Sequence, residues 1–252
     1  MDPTLSRLSA ELEEGHWWFT ARAEILAAVC RELVPGRARV VEVGCGTGNV
    51  LGALPDDWDR VGVDMSPDAV DIAAARYPAL ELSVGRAPDD VRGELIRADL
   101  VLFCDVLEHI EGDVETFEAV IREIPSGARV LITVPAWMEL WSAHDESHGH
   151  FRRYDEARLT RLWRDLPLDT RLVSPFNWRL YPVVRLIRGM GSRAGRTLGP
   201  GETDLFLPPR PLNALLRRIF LSEAGAILAA LEGRRPPVSR RGVSWLAVLE
   251  KR

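Results

Sequence analysis

Apolar residues along this chain follow two periods in turn. The stretches 40–43, 60–63, 100–104 and 129–134 are largely aliphatic and β-branched, as strands covered on both faces of a parallel sheet must be. Residues 80–84 (Leu-Glu-Leu-Ser-Val) alternate instead, and 172–175 and 243–249 read as two further strands. Between them the spacing is helical. Ile25, Leu26, Val29 and Leu33 share one helix face, which Pro35-Gly36 ends. Ser66-Pro67 opens a helix that runs to about 76, and another spans 113–124 before the turn Pro125-Ser126-Gly127. Asp155 caps a helix over 156–165, with Leu159, Leu162 and Trp163 as its apolar stripe. A short polar helix is expected over 4–14. Strand and helix in alternation predict an α/β chain with a doubly wound sheet.

The first strand runs into a glycine-rich turn, Gly44-Cys45-Gly46-Thr47-Gly48. Glycine permits the tight turn and the close approach of a ligand. Residues 49–54 then open a helix, whose first N–H groups are free to bind a polar ligand. Glu42 interrupts the apolar run, and a carboxylate there is costly to bury unless it is paired. It either reaches solvent at the strand end or organises a cationic or amino-bearing ligand. The strand 60–63 ends at Asp64, where a doubly wound fold places an acid against a ribose hydroxyl pair. A dinucleotide loop would want its third glycine at 49; Asn49 stands there, which with Glu42 points away from a nicotinamide enzyme.

Glu-Val-Gly-Cys-Gly-Thr-Gly at 42–48 resembles the first motif of class I S-adenosylmethionine-dependent methyltransferases. Asp64 matches the acid that holds the ribose in that family, and 99–110 (Asp-Leu-Val-Leu-Phe-Cys-Asp-Val-Leu-Glu-His-Ile) is similar to its fourth-strand motif. The resemblance covers 16–175. It implies a Rossmann-like, mostly parallel seven-stranded sheet with the last strand antiparallel, and S-adenosylmethionine as cofactor. The cofactor site it implies comprises Glu42, Gly44, Cys45, Gly46, Gly48, Asp64, Met65, Ala87, Asp105 and His109. The family often sets an acid against the adenine in the loop at 85–87; this chain has Arg86 there, which leaves the Ala87 backbone or Asp89. His109 either shapes the methionine end of the pocket or acts as a base. His16-Trp17-Trp18-Phe19 followed by Arg22 looks like a subgroup signature. Trp17 and Trp18 are either a packing wedge or part of a substrate-binding lid.

The 252 residues are 46% hydrophobic and 27% charged, enough for one large α/β domain. The net charge of −5 gives no nucleic-acid footprint. Cys30, Cys45 and Cys104 are scattered, so a disulfide framework is not expected and a reducing, cytoplasmic compartment is. No signal-peptide core or membrane span is evident.

The segment after the fifth strand carries candidate chemistry. His144, His148 and His150 fall within seven positions, followed by Arg152, Arg153 and Tyr154. Histidine titrates near neutral pH and suits removal of a proton from a methyl acceptor, so the three histidines are the catalytic candidates. Arg152 and Arg153 can fork onto a carboxylate or phosphate, and Tyr154 can donate a hydrogen bond; these three are substrate candidates. One arginine is expected to pair instead with an acid such as Asp105 or Asp145. No metal-ligand spacing is diagnostic among His144, Asp145, His148 and His150, and no metal is expected.

The expected organisation is a helical cover (1–36), the cofactor-binding core (37–176), a helical insertion (177–242) with a glycine-rich centre at 189–203, and the last core strand (243–252). The insertion reads as a substrate cap, a dimer interface or a membrane-surface patch. The expected function is methyl transfer to an oxygen or nitrogen, a carboxylate included, of a small and in part anionic metabolite of bacterial natural-product biosynthesis. Two alternatives stay open. One is a methyltransferase of lipid- or nucleotide-linked sugars at a membrane surface; the other is a non-catalytic S-adenosylmethionine-binding protein.

Overall fold

The computed structural model describes residues 10–194, 206–234, 236 and 239–252. Residues 4–9 of the expected first helix and 195–203 of the glycine-rich stretch lie outside these. The chain builds a sheet of β1 (Arg39–Val43), β2 (Asp59–Asp64), β3 (Glu81–Val84), β4 (Leu100–Cys104), β5 (Arg129–Pro135), β6 (Leu168–Phe176) and β7 (Ser244–Lys251). Its order is β3-β2-β1-β4-β5-β7-β6. β1 to β5 pair in parallel, and β7 runs antiparallel to both β5 and β6. The helices are α1 (Trp17–Leu33), α2 (Asn49–Gly52), α3 (Pro67–Arg76), α4 (Arg92–Leu95), α5 (Asp113–Glu123), α6 (Ala143–Ser147), α7 (Glu156–Arg161), α8 (Tyr181–Ala194), α9 (Arg210–Leu221) and α10 (Ala224–Leu231).

Successive side chains of a strand point to opposite faces, and here both faces are covered. Val40, Leu100, Leu102, Leu131, Leu246 and Val248 pack with Ile25, Leu26 and Val29 of α1 and with Phe220 and Ile227 of α9 and α10. Val41, Val101, Phe103, Val130, Ile132 and Leu249 pack with Phe117, Val120 and Ile121 of α5. This is why the strands read as continuous apolar runs. Each such side chain stabilises the fold by about 1.5–3 kcal/mol when fully buried.

The stretch 177–242 has two separate placements. α9 and α10 complete the layer beside α1. Asn213 accepts the Trp17 N–H at 2.9 Å and donates to the Gly15 carbonyl at 2.8 Å. Glu223, fully buried, accepts the Arg179 N–H at 2.8 Å. α8 instead docks on the connection after β5, where Arg188 donates to the Leu140 carbonyl at 2.7 Å and Tyr181 bonds Glu139. Among the described residues no helix is long and apolar enough to cross a membrane.

Candidate functional site

The glycine loop leaves β1 pressed against the chain that leaves β4. Gly44 has φ +71°, and a Cβ there would lie 2.2 Å from Val106 Cγ2; a side chain is excluded by both conformation and space. At Gly46 an added Cβ would meet nothing within 4 Å, so this part of the loop borders open space. Asp64 braces the loop. It accepts the Gly46 N–H at 2.8 Å and, through its other oxygen, the Ser66 N–H at 2.9 Å. Ser66 in turn caps α3. Thr47 donates to Glu13 at 2.6 Å, and Glu13 also pairs with Arg76 of α3. Glu13 thus belongs to the loop's support; it sits in a polar N-terminal stretch with no motif around it, so nothing in the sequence marked it.

Glu42 is buried within β1, 2% exposed. Burial pushes its carboxyl up to about 8, against the opposing pull of Arg22, Cys104 and the Leu51 N–H. Its Oε2 has no hydrogen-bond partner among the described residues. Cys45 is buried, Met65 is 61% exposed and Ala87 is half-buried. In the turn after β3 the ordering acid is Asp90, which accepts the Arg86 N–H at 2.7 Å. Asp89 is turned outward and pairs with Arg92.

At the end of β4, Asp105 has φ +57°, a conformation that non-glycine residues adopt only when their surroundings hold them there. Arg22 does so from α1, with Nη2 2.6 Å from Asp105 and 3.2 Å from Thr133 Oγ1. The Arg22 guanidinium lies 5.2 Å from the Trp18 ring centre. Trp17 packs edge-on against Phe220 of α9 at 6.1 Å. The aromatic pair therefore wedges the cover helix onto the fold. Of the two expected readings, the contacts of Trp17 match the packing wedge, and Trp18 lies against Arg22.

The histidine segment folds back onto the same strand end. The Phe151 N–H donates to the Glu108 carbonyl at 2.8 Å, and the His150 ring stands edge-on to His109, 4.6 Å between centres. His144 and His148 stack at 4.0 Å. Asp145, fully buried, lies 2.9 Å from His150 Nδ1 and is bonded twice by Arg153, at 2.8 and 3.1 Å. Burial alone would raise its carboxyl, but His150, Arg153 and Arg188 outweigh this and hold it well below the usual range. An ionised Asp145 can only accept, so His150 Nδ1 carries a proton, and in the neutral ring the lone pair is on Nε2. Burial lowers His109 to about 3, with the neighbouring His150 adding to the effect, and burial beside His148 lowers His144 well below the ordinary histidine value.

Arg152, Arg153 and Tyr154, the expected substrate residues, are each held by another partner in the structure. Arg153 is 3% exposed and is held by Asp145 and the Ala136 carbonyl. Arg152 pairs with Asp113 and donates to the Glu111 carbonyl. Tyr154 is fully buried, its hydroxyl donating to Asp113 at 2.7 Å. The expectation that one arginine pairs with an acid is met by Arg153 and Asp145, whereas Asp105 takes Arg22. Glu108, which the sequence places in the fourth-strand motif without a role, is 1% exposed with Oε2 unpartnered among the described residues. Burial and then the nearby Asp105 push its carboxyl well above its ordinary value.

A seven-stranded sheet, a glycine loop after β1 and acids at the ends of β2 and β4 invite comparison with known proteins. The family model described as "Methyltransferase domain" matches residues 3–171, more than half of the chain. The chain belongs to this family. As a member it carries the S-adenosylmethionine-dependent methyltransferase domain, whose cofactor is S-adenosylmethionine. A curated relative from Streptomyces fradiae, a dTDP-3-amino-3,6-dideoxy-alpha-D-glucopyranose N,N-dimethyltransferase, is 32% identical over 117 residues, 44% of this chain and 45% of that one. The chain thus spans less than half the length of that relative. Two solved structures share the fold. A SAM-dependent methyltransferase from Archaeoglobus fulgidus is 15% identical with a TM-score of 0.56, over 91% of this chain and 94% of that one. The plantazolicin methyltransferase BamL, solved with a triazolic desmethylPZN analog and SAH, is 11% identical with a TM-score of 0.57, over 98% and 90%.

The methyltransferase's own residues fit this cofactor. The space above Gly46, the buried and half-satisfied Glu42 and the Asp64 carboxylate all lie at the carboxyl ends of β1 and β2, where open parallel sheets bind ligands. Glu42 and Asp64 are the residues that would hold it, together with the loop's backbone.

Proposed function

We propose that this methyltransferase acts on an oxygen or nitrogen of a small-molecule metabolite, with a nucleotide-linked amino sugar as the first substrate class to test. The single observation that supports the reading is the seating of His150 on His109, 4.6 Å between ring centres, at the end of β4. It sets the acceptor-side histidines against the strand end that the methyltransferase motif assigns to the methionine half of the cofactor. The bound cofactor supplies an electrophilic methyl group on a sulfonium. The chain's task is to align the acceptor and take its proton. Of the three candidate histidines His150 is best placed, because Asp145 fixes its tautomer and leaves Nε2 as the lone pair. His144 and His148, stacked on each other, support the segment. A carboxylate acceptor loses support, since Arg152 and Arg153, its expected anchors, are already paired. The Streptomyces fradiae relative favours an amino sugar. In the remaining division of labour, α8 covers the acceptor side while α9 and α10 belong to the core.

The test is release of S-adenosylhomocysteine from S-adenosylmethionine in the presence of nucleotide-linked amino and hydroxy sugars. His150→Ala should lower turnover by about 10²–10⁴ with cofactor affinity nearly unchanged. Background-level release with every such acceptor, or a fully active His150→Ala, would count against the reading.

A further inference from the structure

Glu108, His109 and His150 come from two segments that the fold brings together. One ligand atom from each lies within 4.8 Å of the other two. We propose that these three side chains bind a divalent transition-metal cation, zinc fitting best, beside the acceptor. The inference rests on the methyltransferase reading above and revises one part of it: with the cation bound, His150 is a ligand and the metal, not His150, activates the acceptor.

Three features separate this cluster from a chance gathering. First, the His150 imidazole is already oriented by one ring nitrogen, its Nδ1 bonding the buried Asp145 at 2.9 Å, and the His109 ring is set edge-on against it, 4.6 Å between centres. Metal-binding histidines are held in this way, with the second ring nitrogen on a carboxylate or a carbonyl. Second, Glu108 is 1% exposed, and its Oε2 has no partner among the described residues. A buried carboxyl with an unpartnered oxygen is costly, and a cation can replace the proton that such burial otherwise retains. Third, the Phe151 N–H to Glu108 carbonyl bond, 2.8 Å, fixes the two ligand-bearing segments against each other. Asp145 is itself held by Arg153 and Arg188, so the support extends two residues deep.

Two imidazoles and one carboxylate are a donor set of catalytic zinc sites, which keep a fourth position for water or substrate. Bonds of about 2.1 Å in a tetrahedron put ligand atoms about 3.4 Å apart. The 4.8 Å bound on the present separations exceeds that by about 1.4 Å, the most that side-chain rotation has to close. A hydroxyl acceptor bound at the fourth position would lose its proton to solvent more readily, because the cation stabilises the alkoxide; an amine would be oriented there. The sequence gives no sign of this site, since Glu108 and His109 lie in the fourth-strand motif and His150 in a distant loop.

The full chain, stripped with a chelator, should bind about one Zn²⁺ in a calorimetric titration. Glu108→Gln and His150→Ala should each weaken binding by at least tenfold, and Asp145→Asn by about 10–100-fold. The Co²⁺-loaded wild-type chain, which needs no substitution, should show the intense visible absorption of a low-coordinate nitrogen and oxygen site. A spectrum like that of the aqueous ion, or zinc binding unchanged in both ligand variants, would overturn the proposal. S-adenosylhomocysteine binding and methyl transfer are measured in parallel. Transfer that persists in chelator without any zinc binding sinks the metal site and leaves the methyltransferase reading intact. Zinc binding without transfer to any acceptor sinks only the latter.

Discussion

Replacing Arg22 with methionine removes the cation that α1 sends into the sheet while roughly keeping its volume. Arg22 is 5% exposed, 2.6 Å from Asp105, and its charge also acts on the buried Glu42. Taking one partner from a buried ion pair strands the other and costs about 3–5 kcal/mol. Against a total stability of about 5–15 kcal/mol this is severe. At about 2–4 °C per kcal/mol for a chain of this size, Tm should fall by about 6–20 °C. The loss should depend on pH. In the fold Glu42 is raised to about 8, above its unfolded value of about 4.3. The folded state therefore binds the proton more tightly, and this stabilisation is complete below about pH 4.3 and gone once pH passes about 8. Arg22 opposes the rise, so without it Glu42 climbs further and the loss extends to higher pH. Scanning fluorimetry should find a wider gap between wild type and Arg22→Met at about pH 8.5 than at about pH 5.5. Adding Glu42→Gln to both backgrounds should remove that difference. A Tm change under about 2 °C, or a gap that does not move with pH, would refute the idea that Arg22 compensates the buried acids.

Three further outcomes are expected. Asp64→Ala should weaken S-adenosylhomocysteine binding by about 1–3 kcal/mol in calorimetry, and should lower Tm without ligand because Gly46 and Ser66 lose their acceptor. Gly44→Ala places a Cβ 2.2 Å from Val106 at φ +71°; cofactor binding should fall at least tenfold, whereas Gly93→Ala, whose added Cβ meets nothing within 4 Å, should leave it unchanged. Tyr154→Phe deletes one buried hydrogen bond to Asp113, so Tm should drop by about 2–4 °C, for a loss of about 1 kcal/mol, while KM for the acceptor stays constant; a raised KM with unchanged Tm would restore Tyr154 to substrate binding.

The strands were readable because both faces of the sheet are dry. Val101 and Phe103 point one way and Leu100 and Leu102 the other, so no polar alternation blurs the run. The glycine loop was readable for a similar reason: few sequences other than a ligand-binding turn combine that strand with three glycines. Side chains beyond the loop were not readable. Arg152, Arg153 and Tyr154 look like an exposed binding motif, yet the chain returns as a bridge of Tyr154 to Ala136 and turns them inward onto Asp113 and Asp145. Glu13 and Glu108 gain their meaning from partners far away in sequence, which local spacing does not encode. The insertion was legible as helical, but its split between core layer and loop contact depends on Phe220, Asn213 and Arg188 meeting specific neighbours.

The place of β7 bears on how the chain is made. It pairs with β5 from Arg129↔Glu250 to Pro135↔Ser244 and with β6 from Leu168↔Lys251 to Phe176↔Ser244. β6 joins the sheet only across it. While the polypeptide is being synthesised, β5 therefore exposes an unpaired edge, and β6 has no ladder to enter, until residues 244–251 emerge. Such an edge is a template for pairing with other chains, and its closure is a long-range, late event. Until that strand is made, the β5 edge remains open to pairing with another chain.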